Sequence, residues 1–147
     1  MTGWRIGGVT GPEDVIAKMG LLLETTTSCV SPFIQEAAIE ALTGSQNPID
    51  NMVIEFRKRR DLLIEGLNSL PGVRCIVPKG AFYAFPNITG TGLTSEEFAD
   101  TMLAQAGIAL CPGNYFGERG EGYVRLCYAN SIENIEAGIR RMKKILG

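Results

Sequence analysis

The hydrophobic period of the sequence changes at Pro71-Gly72, and this change constrains the fold more than any other feature. Before it, apolar residues recur at helical spacing, most clearly over residues 51–70, which predict one long amphipathic helix. After it, the order is strand, strand, helix, strand, strand, helix. The pattern predicts an α+β fold, with a small sheet that carries helices on one face and an N-terminal extended arm and helices in front of it.

Local signals place the individual elements. Strands are predicted at residues 73–77, 82–85, 108–110 and 123–129, with the first two joined as a hairpin through Pro78-Lys79-Gly80. One helix should open at Pro12 and another at Ser31-Pro32. Thr94 to Glu97 forms a capping box, and Ser131 caps the last helix, in which Ile135 and Ile139 should be buried.

Composition removes several classes of function. Lys plus Arg number 14 against 16 Asp plus Glu, and this net charge of -2 argues against a nucleic-acid partner. No apolar run reaches the length of a membrane span, and the first residues lack the apolar stretch of a secretory signal. Histidine is absent, which excludes histidine-based catalysis and the commonest metal ligand, so no metal site is predicted.

The cysteine pattern indicates a cellular compartment. The chain has 4 cysteines, which lie far apart and form no CxxC pair: Cys29, Cys75, Cys111 and Cys127. Disulfide-dependent domains are smaller and denser in cysteine, so these are predicted to be reduced core thiols. We therefore expect a cytoplasmic protein.

Four segments in register carry a family resemblance: residues 1–8 (MTGWRIGG), 28–35 (SCVSPFIQ), 78–83 (PKGAFY) and 111–126 (CPGNYFGERGEGYVRL). Together they resemble the C-terminal part of a class I aminotransferase of the aspartate aminotransferase type, which depends on pyridoxal phosphate (PLP). The resemblance implies an arm left over from the large domain at residues 1–30 and a small C-terminal domain at 31–147 that includes the long connecting helix. It also implies a homodimer in the full-length enzyme.

The resemblance assigns roles to individual residues. Arg5 corresponds to the arginine on the cofactor phosphate, and Arg125 to the arginine that binds the substrate α-carboxylate; a guanidinium suits both, because it stays charged and offers two parallel donors. Gly113 and Phe116 lie in the loop beside the substrate. Without the family, Arg5 and Arg125 would be ordinary surface arginines, Gly113 part of a turn and Phe116 core filler.

The resemblance also defines what this chain lacks. The lysine that holds PLP as a Schiff base would lie a few residues before the position of Met1, so no catalytic residue is assigned here. We expect the chain alone to bind no PLP and to be inactive, because PLP needs the lysine and its electronic partners. The full-length enzyme would transfer an amino group between an amino acid and a 2-oxo acid. The alternative is a standalone non-catalytic module that binds a small carboxylate or a protein partner.

Overall fold

The computed structural model describes residues 1–147, with the side chain of Thr2 outside the description. The backbone divides into two compact units, Met1–Ile49 and Asp50–Gly147. The boundary after residue 30 concerns the domains of a larger enzyme, so it stays a prediction.

The first unit is helical. After a short 3-10 turn at Thr2–Trp4 come helix α1, Glu13–Thr26, and helix α2, Pro32–Thr43, as the sequence predicts. Helix α3, Asn47–Asn68, begins at the end of this unit, continues as part of the second, and starts four residues before its predicted position at 51. Proline is tolerated in the first helical turn, where its missing N–H has no intrahelical partner, so Pro48 does not delay the start of α3.

The first unit has no buried core of its own. None of the residues described between 1 and 49 is buried. Large apolar side chains are more than half exposed on both helices: Leu21, Leu22, Phe33, Ile39 and Leu42. Exposed apolar surface of this extent is typical of a face that binds another domain or another chain.

The second unit contains a three-stranded antiparallel sheet. Strand β1 is Tyr83–Ala84, β2 is Cys111–Pro112 and β3 is Val124–Cys127, in the order β1-β3-β2. Helix α4, Ser95–Thr101, continues through a wider turn at Met102–Ala106, and α5 is Ile132–Leu146. The predicted α+β class is confirmed.

Both predicted caps of these helices are confirmed. The Thr94 side chain accepts a hydrogen bond from the Glu97 N–H, and a Glu97 carboxylate oxygen accepts from the Thr94 N–H at 2.9 Å. Ser131 accepts from the Asn134 N–H at 3.2 Å. Each cap satisfies backbone donors that the first turn of a helix leaves without partners.

The predicted strand at 73–77 is wrong. Within it, only Arg74 pairs with another backbone segment, through an isolated bridge to Asn87. The Asn68 side chain at the end of α3 takes both backbone groups of Cys75, donating to its C=O at 3.0 Å and accepting from its N–H at 2.8 Å. A side chain that satisfies these groups removes the need for a strand partner.

The predicted hairpin is also wrong, because residues 73–77 form no strand with which residues 82–85 could pair. Strand β1 occupies only part of the predicted 82–85 run and pairs with β3, with Tyr83 opposite Cys127 and Ala84 opposite Leu126. The strand predicted at 108–110 lies instead at Cys111–Pro112, because the Ile108 N–H still bonds to the Met102 carbonyl of the preceding helical turn.

The core of the second unit lies between one face of the sheet and helices α3, α4 and α5. Val124 and Leu126 of β3 point into it beside Ala84. The helices contribute Leu63, Leu67, Phe98, Met102, Ile135 and Met142. Ile135 is buried as predicted, whereas Ile139 is only half-buried, because its side chain lies against Gly66 at the edge of the core.

Ile135→Asp should unfold the second unit or destabilise it by about 3 kcal/mol or more, because a buried carboxylate without a partner is costly. The control is Ile76→Asp, since Ile76 is 85% exposed and should tolerate the charge. Thermal unfolding followed by circular dichroism measures both. Equal melting temperatures for Ile135→Asp and the unmodified chain would contradict the assigned core.

Candidate carboxylate site

Arg125 stands on the outer face of the sheet. Its neighbours along β3, Val124 and Leu126, are buried in the core, and residues of a strand alternate between its faces. The Arg125 side chain therefore projects from the face opposite the core. Antiparallel partners share a face, so Cys111 and the Cys127–Tyr83 pair lie beside Arg125.

Two aromatic rings contact the guanidinium of Arg125. Its Cζ atom lies 4.5 Å from the centroid of the Tyr83 ring and 4.5 Å from that of the Phe116 ring. Tyr83 reaches it from β1, while Phe116 comes from the 3-10 turn Gly113–Phe116 that follows β2. At this distance a guanidinium is attracted by the negative face of a ring.

No carboxylate neutralises this guanidinium within the described part of the chain. The ion pairs found there join Lys58 and Arg59 to Glu55, Arg60 to Asp61, and Arg140 to Glu136. Arg125 thus presents a positive charge with its N–H donors available to a ligand, and a carboxylate can accept two of them in parallel.

Further rings support Phe116. Phe85 meets it edge-to-face, with centroids 6.1 Å apart, and stacks on Tyr123 at 5.4 Å with the two ring planes 9° apart. Aromatic pairs prefer such edge and offset arrangements. Sequence reasoning identified Phe116 but missed Tyr83, Phe85 and Tyr123, because their grouping depends on which strands pair.

The loop between β2 and β3 is folded tightly around glycines. Gly113 is buried, and its N–H donates to the Tyr123 carbonyl at 2.8 Å. A side chain at Gly113 would collide with the carbonyl of Gly120, and Gly117 has a φ of 114°. Gly113 is therefore needed for the packing of the loop, and its predicted contact with substrate stays a prediction.

Glu121 and Ser95 fasten this loop to the start of α4. The Ser95 N–H donates to a Glu121 carboxylate oxygen at 2.9 Å, and the Gly122 N–H donates to the buried Ser95 hydroxyl, also at 2.9 Å. The backbone hydrogen bond from Ser95 lowers the pKa of the Glu121 carboxyl below its ordinary value. The charged form of Glu121 therefore helps to hold the chain that leads into β3.

Arg5 lies in the other unit, Met1–Ile49. It is exposed, and its φ of 53° is in the left-handed region that non-glycine residues seldom adopt. Such a conformation fits a specific local role, and the role on a cofactor phosphate stays a prediction.

The cysteines are placed less uniformly than predicted. Cys75 is buried, which raises the pKa of its thiol, and Cys111 is half-buried. Cys29 and Cys127 are exposed, so the prediction of core thiols is wrong for these two. Cys127 is exposed because it shares the outer face of the sheet with Arg125, and Cys29 lies between helices α1 and α2.

No group of three or more Cys, Asp or Glu side chains among the described residues could hold a metal ion. None of the helices described is both long and apolar enough to cross a membrane.

Comparisons with known proteins identify the family. The model for "Aminotransferase class I and II" matches residues 1–142. An aspartate aminotransferase of Pyrococcus horikoshii is 42% identical over 99% of this chain and 38% of its own length. The crystal structure of an aromatic aminotransferase from Pyrococcus horikoshii gives a TM-score of 0.93 at 42% identity, over 99% of this chain and 39% of that one. An aspartate aminotransferase from Thermus thermophilus with maleate gives 0.89 at 37% identity, over 99% and 38%.

The chain therefore belongs to the class I and II aminotransferases. It corresponds to their C-terminal portion, and it spans about two fifths of the length of the curated relatives that it matches. The recognition made from the four sequence segments is confirmed.

Aminotransferases of this family use PLP, but the residues of this chain do not fit that cofactor on their own. A Schiff-base lysine must be enclosed with the ring that it holds. The lysines here are all exposed: Lys18, Lys58, Lys79, Lys143 and Lys144. None of these lysines is therefore enclosed in the way that a Schiff base with PLP requires.

Glu121→Gln should lower the melting temperature at pH 7 by a few degrees, because the charged acceptor of the Ser95 N–H is lost. The pKa of Glu121 is lowered in the folded chain, so its contribution is present above about pH 4.5 and disappears as the pH falls through the folded-state pKa. The difference in melting temperature between the variant and the unmodified chain should therefore become smaller in acid. Melting curves from pH 7 to pH 3 measure it.

The matched control is Glu118→Gln, in the same loop, whose carboxylate has no hydrogen bond or ion pair within the described chain. It should melt like the unmodified chain at each pH. A difference in melting temperature between Glu121→Gln and the unmodified chain that stays constant or grows in acid would contradict the assigned role of the carboxylate.

Proposed function

We propose that this chain supplies the substrate-carboxylate half of an aminotransferase site. In the complete enzyme, an amino group would pass between an amino acid and a 2-oxo acid, and Arg125 would bind the α-carboxylate that both share. The observation that carries this proposal is the guanidinium of Arg125, which is held between two rings and has no acidic partner in the described chain. A charged donor pair of this kind matches the two oxygens of a carboxylate.

Further parts of the site would come from the portion of the family fold that this chain does not span. From this chain, Arg5 would bind the phosphate of PLP, Phe116 would form part of the pocket wall, and Gly113 would keep the loop close to the substrate. Residues 1–30 would belong to the large domain and 31–147 to the small domain. The free thiols support a cytoplasmic location for that enzyme.

The exposed apolar side chains of Met1–Ile49 favour association with another chain or domain. For the complete enzyme we propose a homodimer. For the chain alone, the same surface supports the second candidate, a standalone non-catalytic module that binds a small carboxylate or a protein partner. Light scattering tests the association, and a clean monomer at high concentration would count against it.

Arg125→Ala should weaken the binding of maleate to the isolated chain by about tenfold or more, because a charge-assisted bidentate contact is worth about 1.5–3 kcal/mol. Isothermal titration calorimetry measures the affinity. The control is Arg57→Ala, which removes an exposed arginine on helix α3, an element packed on the core face of the sheet. Equal affinities for Arg125→Ala and the unmodified chain would remove Arg125 from the site.

The chain alone should not transaminate aspartate or alanine with 2-oxoglutarate when PLP is added, because none of its lysines is enclosed. A coupled assay for the product oxo acid, with PLP absorbance recorded in parallel, makes the measurement. Robust turnover that disappears when one of the chain's own lysines is replaced would overturn this proposal.

A further inference from the structure

We propose that Tyr83 and Phe116 are positioning residues, which hold the guanidinium of Arg125 ready for a carboxylate by stacking against it. The inference rests on the proposed function of Arg125 and goes beyond it by naming the residues that set its orientation. Both ring centroids lie 4.5 Å from the Arg125 Cζ atom.

The geometry leaves one approach to the guanidinium. A guanidinium is planar, and its five N–H donors lie in that plane. Rings that stack against such a group would cover its faces and leave its edge, where the donors point, open to a ligand. A carboxylate that arrives at the edge can accept two parallel hydrogen bonds, which is the strongest contact that it makes with arginine.

Both rings are themselves held by neighbours. Phe82 packs against Tyr83 with centroids 4.5 Å apart, and Phe85 meets Phe116 edge-to-face. Tyr83 is fixed further by the pairing of β1 with β3. The rings are therefore in place before any ligand arrives.

The advantage of this arrangement is preorganisation. A long arginine side chain loses rotamer freedom when it is fixed by a ligand, and a side chain that is already fixed loses less. The cost of immobilising one such side chain corresponds to about a two- to tenfold change in affinity. The Tyr83 hydroxyl is not part of the argument, so phenylalanine should replace this tyrosine without loss.

The experiment compares maleate affinities of single variants of the full chain by calorimetry. Tyr83→Leu and Phe116→Leu should each bind maleate about two- to tenfold more weakly, whereas Tyr83→Phe should match the unmodified chain. Phe33→Leu is the control, because Phe33 is an exposed ring on α2, in the other unit. Melting curves confirm that the variants are folded; Tyr83 is 36% exposed and Phe116 51% exposed, so neither is a core residue.

A spectroscopic readout separates positioning from a merely structural role. Ring currents should move the Arg125 Nε–Hε resonance away from the random-coil position in the ligand-free chain. In either leucine variant this resonance should move back toward that position, while Tyr83→Phe should preserve the displaced shift. The measurement on the unmodified chain needs no variant to fold.

The outcomes are distinguishable. If Arg125→Ala abolishes binding while both leucine variants keep full affinity, the positioning role is wrong and the carboxylate site stands. A random-coil Nε–Hε shift in the unmodified chain would also overturn the positioning role. If Arg125→Ala leaves maleate binding unchanged, the proposed function fails, and this inference fails with it.

Discussion

Strand β3 is the element on which the rest of this structure depends. Its period of two commits Val124 and Leu126 to the core, and the same period commits Arg125 to the outer face. A shift of register by one residue would bury the charge of Arg125 and expose two core side chains, each of which is costly. Packing of the core therefore fixes the position of the functional arginine.

The chain around β3 converts this position into a site. On one side, β1 places Tyr83 beside the guanidinium through backbone pairing with Cys127. On the other, the loop closed by Gly113 against Gly120 brings Phe116 to it, and the Ser95 and Glu121 contacts hold that loop to α4. Neither ring would reach Arg125 if its backbone took another path, so the glycines and the Ser95 and Glu121 contacts serve the site by fixing that path.

Sequence reasoning succeeded where the signal is local. The caps at Thr94 and Ser131 depend on residues three positions apart, and the strand predicted at 123–129 contains β3. It failed for residues 73–77, because the backbone of Cys75 is satisfied by Asn68, a side chain in another element. Strand pairing is likewise non-local, so the grouping of Tyr83 with Phe116 could not be read from the sequence.

A crystal structure of this chain with maleate would show whether Arg125, held between Tyr83 and Phe116, binds a carboxylate. We expect one carboxylate of maleate in the plane of the Arg125 guanidinium, accepting two hydrogen bonds, with both rings still against the faces of that group. Maleate bound elsewhere, or an Arg125 side chain turned away from both rings, would contradict it.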